Sequence, residues 1–256
     1  MAWVARCCPG EPIEVLHGPL VEVSDLWFGE IVWDGDYESG DFDHARHAFG
    51  SGGRMRETEM VFVSSASVVD RLHWVQQGNK TWVSNSIAAI TKESGLTADP
   101  ACSRYPAIFK SICRGTKQYE RVVPMVGGEV HLCYMNNLHW DGQALHERLK
   151  PVQVVPLRNY EEYRNQLSQV IVGLSRNWSD SLRCHPFKAI STISTGYDSP
   201  AATVLAREAG LDLAITIARG RSGDVDDGSI IAQHLGVPIH VHSGRHQAAR
   251  TQSPSL

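Results

Sequence analysis

No apolar run in this sequence approaches the roughly 18 residues that span a bilayer. The N-terminus, Met1-Ala2-Trp3, also lacks the basic-then-apolar pattern of a secretory leader. Together these absences predict a cytoplasmic chain with no membrane partner. Basic charge is short as well: 24 Lys and Arg stand against 28 Asp and Glu, the net charge is -4, and the cations are scattered, so no field for nucleic acid exists. The six cysteines, Cys7, Cys8, Cys102, Cys113, Cys133 and Cys184, contain no Cys-x-x-Cys pair, which argues against a zinc site or a disulfide framework. An acidic cluster (Asp34, Asp36, Glu38, Asp41, Asp43) lacks the glutamate that completes an EF-hand loop, and a solvated loop is expected there.

What is present is enough apolar residue, 42% of 256, for one large core or two smaller ones. Up to about residue 134 the apolar runs are short and bounded by Gly, Pro and Asp, as in antiparallel strands: Ile13 to Leu16, Val21 to Val23, Leu26 to Phe28, Ile31 to Trp33, Met60 to Ser64, Leu72 to Gln76 and Thr81 to Ser84. A helix is expected from Ser86 to Glu93, ended by Gly95, and a hairpin at Gly127-Gly128. Residues 135 to 158, with Lys150-Pro151 and Val155-Pro156, read as an extended linker. Asn159 to Ser175 then carries Tyr160, Tyr163, Leu167, Val170, Ile171 and Leu174 at helical spacing, an apolar stripe suited to covering a sheet.

The stretch Ala189 to Gly210 reads as strand, hydroxyl-rich turn and helix, with Ser199 and Pro200 as start signals of the helix. A helix N-terminus reached through such a turn attracts an oxyanion. The turn has neither the lysine of a Walker loop nor the glycine spacing of a dinucleotide fold. Strands at Leu213 to Ala218 and Val237 to Val241, with a helix at Ser229 to Leu235 between them, predict a parallel sheet whose ligands sit at the carboxyl ends of the strands. Asp224, Asp226 and Asp227 have two readings, as caps of the next helix or as groups approaching a metal and substrate. His240 and His242, with His246 nearby, are better explained as a half-exposed sheet face than as a metal site.

Ser194-Thr195-Gly196-Tyr197-Asp198-Ser199 matches Ser-x-Gly-x-Asp-Ser and resembles the pyrophosphate loop (PP-loop) of ATP pyrophosphatases such as the asparagine synthetases. Looser matches at Asp70-Arg71-Leu72-His73-Trp74, Val83-Ser84-Asn85-Ser86, Tyr119 to Pro124 and Gly128-Glu129-Val130 follow the order of the first domain of that family. The resemblance implies an α+β and α/β chain. Residues 1–150 would be an Ntn amidotransferase-like domain rich in antiparallel strands. Residues 151–242 would be a partial parallel α/β domain of the adenine nucleotide α-hydrolase type, and 243–256 a disordered tail. It further implies ATP and Mg²⁺ as cofactors, with phosphates over Ser194, Thr195, Gly196, Tyr197, Asp198 and Ser199, metal on Asp198, and adenine beside Ile217 and Ala218. A small-molecule carboxylate and ammonia or an amine would be the substrates.

In that family the glutaminase nucleophile is an N-terminal cysteine, whose own amine is the base. Here Met1-Ala2-Trp3 stands in its place, so the first domain is expected to be non-catalytic, as in the similar β-lactam synthetases. The relatives also continue into further strands and a second acidic loop, so a shortened, impaired synthetase is expected. The alternative is a non-catalytic nucleotide-binding or interaction module, completed by a partner chain or a second copy.

Overall fold

The computed structural model describes residues 1–150, 156–219 and 225–242; Asp224, His246 and the tail from residue 243 lie outside them. The chain is mixed α+β and divides into two compact units, Met1–Pro156 with Arg176–Pro186, and Leu157–Ser175 with Phe187–Leu256. Among the described residues no helix is long and apolar enough to cross a membrane.

The first unit is built from β1 (Trp3–Cys7), β2 (Glu14–His17), β3 (Glu22–Val23), β4 (Trp27–Trp33), β5 (Ala48–Met55), β6 (Met60–Val63), β7 (Leu72–Gln77) and β8 (Lys80–Ser84). Helix α1 (Ile87–Ser94), β9 (Thr97–Ala98), α2 (Tyr105–Lys110), β10 (Val122–Val126), β11 (Gly128–Cys133), β12 (Asn136–Trp140) and β13 (Leu145–Leu149) follow. They make a seven-stranded sheet, β2-β1-β8-β7-β11-β10-β9, and a six-stranded sheet, β13-β12-β6-β5-β4-β3. Every pairing in both is antiparallel.

Strand alternation explains the layers. Trp3, Ala5 and Cys7 of β1 enter a core shared with Phe28, Phe62, Leu138 and Trp140 of the other sheet. Val4 faces the opposite way, into a core with Ile90 of α1 and Ile108 of α2. Both faces of the larger sheet are therefore covered at β1, where only Arg6, paired with Glu14 at 2.7 Å, reaches water. A third cluster, Trp27, Ile31, Trp33, Tyr37 and Phe42, lies on the second sheet.

Helix α1 starts where the start signal placed it: Ser86 accepts the Ala89 N–H at 3.3 Å, and Gly95, at φ 73°, ends it. Elsewhere the structure corrects the reading. The linker expected from residue 135 to 158 contains β12 and β13, because Leu138 and Trp140 are 1% and 4% exposed and belong to the core. The two runs read at Leu26 to Phe28 and Ile31 to Trp33 are one strand, β4. The acidic cluster is not simply solvated: Asp43 is buried and accepts the Arg56 Nε–H at 2.8 Å, and Asp34 holds His47 at 2.7 Å.

Helix α3 (Tyr160–Trp178) belongs to the second unit up to Ser175, and β14 (Ile190–Thr192), α4 (Asp198–Glu208), β15 (Leu213–Ile217), α5 (Ser229–Leu235) and β16 (Ile239–His242) complete that unit. The strands form a parallel sheet ordered β14-β15-β16, with β14 at an edge among the described residues. Its core is Ile193, Ala214, Ala232 and Val237. The stripe of α3 is only partly used: Tyr160 is 76% and Tyr163 47% exposed, and the helix reaches α4 through Ser168 and Arg164 to Glu208.

Candidate functional site

Parallel pairing of β14 with β15, Thr192 opposite Ile215, brings the carboxyl ends of both strands together in the second unit. The turn Ser194–Ser199 leaves the first, and Ile217 and Ala218 close the second. In the turn itself Ser199 accepts the Ser194 N–H at 2.9 Å, and its hydroxyl lies 2.9 Å from that of Ser194. Ser194 Oγ accepts the Gly196 N–H at 3.3 Å. Ser199 is thus not the N-cap that its position before Pro200 suggested: α4 begins at Asp198, and Ser199 lies in its first turn. Pro200 remains compatible with the helix because its missing N–H is one that the first turn would leave unpaired.

The N–H groups of Tyr197, Asp198 and Ser199 meet no acceptor among the described residues. Tyr197 is 94% exposed, and Asp198 is exposed in the first turn, where its charge suits the helix dipole. Thr195 donates both its N–H and its hydroxyl to Asp226, at 3.0 and 2.9 Å. The Asp226 carboxylate thus stands where an anionic oxygen of a ligand would be received, which shows that the turn has the donor set for one. A phosphate taking these donors must displace Asp226, or share the site with it through a cation.

Neither comparison with known proteins identifies the chain: no family model matches it, and no curated protein does.

The loop after β15 is held by one residue. Thr216, the polar exception in an otherwise apolar strand, is buried, accepts the Gly228 N–H at 2.9 Å and donates to Asp226 O at 3.4 Å. Asp227 accepts the Ser229 N–H at 2.9 Å, and the Ser229 side chain and N–H hold its carboxyl below the usual range. Asp227 thus accepts the first N–H of α5, whose N-cap is Gly228, whereas Asp226 turns to the candidate site. Gly228 is needed where it is: a Cβ there would lie 2.8 and 2.9 Å from the Ile193 carbonyl carbon and oxygen. We expect Gly228→Ala to destabilise the second unit by roughly 1–3 kcal/mol. Amide exchange in β14 and β15 should be faster; unchanged exchange would show that the backbone can move aside at no cost.

Ile217 is half exposed, and the Ala218 N–H is already given to His242 O at 3.0 Å. His240 and His242 are exposed on β16, and no group of three or more potential metal ligands occurs among the described residues.

A second polar pocket lies in the first unit, a cavity of about 380 Å³ lined by Met1, Glu30, Asp70, Arg71, His73 and Asn85, among others. Glu30 accepts from Ser51 Oγ at 2.6 Å and Asn85 Nδ2 at 3.0 Å; burial pushes its carboxyl up despite those bonds. Asn85 also donates to Met1 O at 2.9 Å and accepts the Trp3 N–H at 3.0 Å. In the sequence Asp70, Arg71, His73 and Asn85 are only ordered matches to a family; nothing local to them signals a pocket, since it is formed by residues far apart in the chain. Cys7 and Cys8 do not belong to it. Both are buried, and burial pushes the Cys7 thiol up to about 12, so it stays protonated.

Proposed function

We propose that the second unit is a nucleotide cradle of the PP-loop type. The chain would then be an asparagine synthetase-like ligase that joins a carboxylate to ammonia or an amine. Its first unit would be an amidotransferase-like domain. One observation carries this reading: the Ser194–Ser199 turn sits at the carboxyl end of a parallel sheet, opens a helix with unpaired N–H groups, and holds a carboxylate oxygen on Thr195. The hydroxyls of Ser194 and Ser199 and the free N–H groups would receive phosphate oxygens. Asp198 and Asp226 would share Mg²⁺. When bound, Mg-ATP supplies the phosphoryl electrophile that activates the carboxylate.

A second reading, a nucleotide-binding module completed by a partner strand, is favoured by the edge position of β14 and by Ile190, which is 59% exposed. Calorimetric titration of Mg-ATP tests what both readings share. Saturable binding is expected, weakened roughly tenfold by Asp198→Ala and by Ser194→Ala. A folded chain that binds no Mg-ATP, or binds it equally well in both variants, would sink both readings. Release of AMP and pyrophosphate on adding candidate carboxylates and ammonia then separates ligase from module.

A further inference from the structure

A different cavity in the first unit, of about 680 Å³, opens where the chain passes from one sheet to the other. Only Tyr134 and Met135 separate β11 of the larger sheet from β12 of the smaller, and Met135 makes the passage at φ 62°, a left-handed conformation costly for a residue with a side chain. Tyr134, Met135 and Leu149 give the cavity an apolar wall, and Arg46, Lys117, Arg121 and Lys150 line it with positive charge. Among the described residues no Asp or Glu lines it.

The charges differ in how they are compensated. Arg121 is held by Glu147 at 2.8 Å, and His47, also in the lining, by Asp34 at 2.7 Å. Arg46, Lys117 and Lys150 have no carboxylate within 4.0 Å among the described residues. The Lys150 ammonium donates to Ser64 O, which leaves donors unused, and burial lowers it to about 8. A chain of net charge -4 that gathers three cations without carboxylate partners around a cavity, Arg46 and Lys117 exposed and Lys150 partly buried, presents a positive field there.

We propose that this cavity binds a small organic anion with a doubly charged headgroup, a phosphate monoester or a dicarboxylate, carried on a short apolar body. The headgroup would lie between Lys150, Arg46 and Lys117, and the body against Tyr134, Met135 and Leu149. The volume is in the range of pockets that enclose small ligands. The proposal is independent of the nucleotide cradle, which belongs to the second unit.

Titration calorimetry of the intact chain at low salt, with phenyl phosphate, benzylsuccinate, inorganic phosphate and neutral benzyl alcohol, tests it. Phenyl phosphate or benzylsuccinate should saturate a single site, and the tighter of the two identifies the headgroup. Binding should weaken roughly tenfold in Lys150→Gln and in Arg46→Gln, and should be unchanged in Asp198→Ala. Arg46 is exposed, so its variant carries the test even if Lys150→Gln does not fold. The proposal is overturned if a folded chain binds neither organic anion, or if Arg46→Gln binds as tightly as wild type. Inorganic phosphate or benzyl alcohol matching the organic anions would overturn it too, because the apolar body or the charge would then contribute nothing. Loss of binding in Asp198→Ala would place the anion in the Ser194–Ser199 turn instead.

Discussion

Replacing Arg183 with methionine should lower the stability of the first unit by about 3–5 kcal/mol. The guanidinium is 5% exposed and lies against Glu22, itself 5% exposed, with Nη1 to Oε2 at 2.7 Å. It also donates through Nη2 to Ile31 O at 2.8 Å and through Nε to Asn177 O at 2.6 Å, and stacks over the Tyr37 ring at 4.5 Å. Removing it strands a carboxylate in a site with little water, and leaves the Ile31 and Asn177 carbonyls without this donor. The remaining partners of Glu22, the His185 N–H at 3.2 Å and the Tyr37 hydroxyl, are too little to hold that charge.

All seven tryptophans, Trp3, Trp27, Trp33, Trp74, Trp82, Trp140 and Trp178, belong to the first unit, so their emission during urea unfolding reports on that unit alone. Adding Glu22→Gln to Arg183→Met should return part of the loss, since the stranded charge disappears; this coupling is what separates an ion pair from mere packing. A loss below about 1 kcal/mol in Arg183→Met, or no recovery in the double variant, would show that water reaches Glu22 and that the pair is worth little.

That pair marks where the sequence ceases to be legible. Glu22 and Arg183 are 161 residues apart. The segment Arg176–Pro186 returns to the first unit between two stretches of the second, and nothing in its composition signals the return. Asn177 is buried and donates to Gly35 O at 3.0 Å, a contact nothing in its neighbouring residues announces. Contacts of this kind depend on the whole fold, whereas the elements that could be read depend on neighbours: Ser86 and Gly95 around α1, and the short, turn-bounded apolar runs of β7 and β8.

Strand β5 shows the opposite failure. Its sequence, AFGSGGRM, carries three glycines and no apolar run, yet it pairs with β4 along its length, from Trp33 opposite Ala48 to Trp27 opposite Arg54. A Cβ on Gly52 would lie 2.4 Å from the Phe28 carbonyl oxygen, so glycine here serves a close approach of two strands and not a turn. In the candidate cradle the turn was legible because its residues are contiguous. The engagement of Thr195 by Asp226 across 31 residues was not legible: the two readings of Asp226 were a helix cap and an approach to metal and substrate. Thr216 was visible as an oddity in an apolar strand, and its reason, the anchoring of Gly228, was not.

Mild acid should destabilise the first unit through His73. Its side chain on β7 is 3% exposed, and neither ring nitrogen meets a partner with hydrogen-bond geometry. Burial, and then the nearby Arg71 charge, lower it from 6.5 to about 4, while the Ser84 backbone opposes the shift only in part. The unfolded chain therefore takes up a proton near 6.5, and the folded chain not until about 4. Stability is full above about 6.5, falls as pH drops through the window, and is lower by about 3 kcal/mol once both states are charged. Glu30, in the same pocket, acts with the opposite sign: its raised carboxyl takes up a proton in the folded state first, and so adds stability as pH falls. The contribution of His73 is isolated by comparing wild type with His73→Leu, which cannot titrate and removes two unpartnered polar atoms. Urea unfolding followed by tryptophan emission should show wild type losing about 3 kcal/mol more than the variant between about pH 7 and pH 4. Parallel curves across that range would mean that water or a rearranged Arg71 solvates the imidazolium, and that the pocket opens readily to solvent.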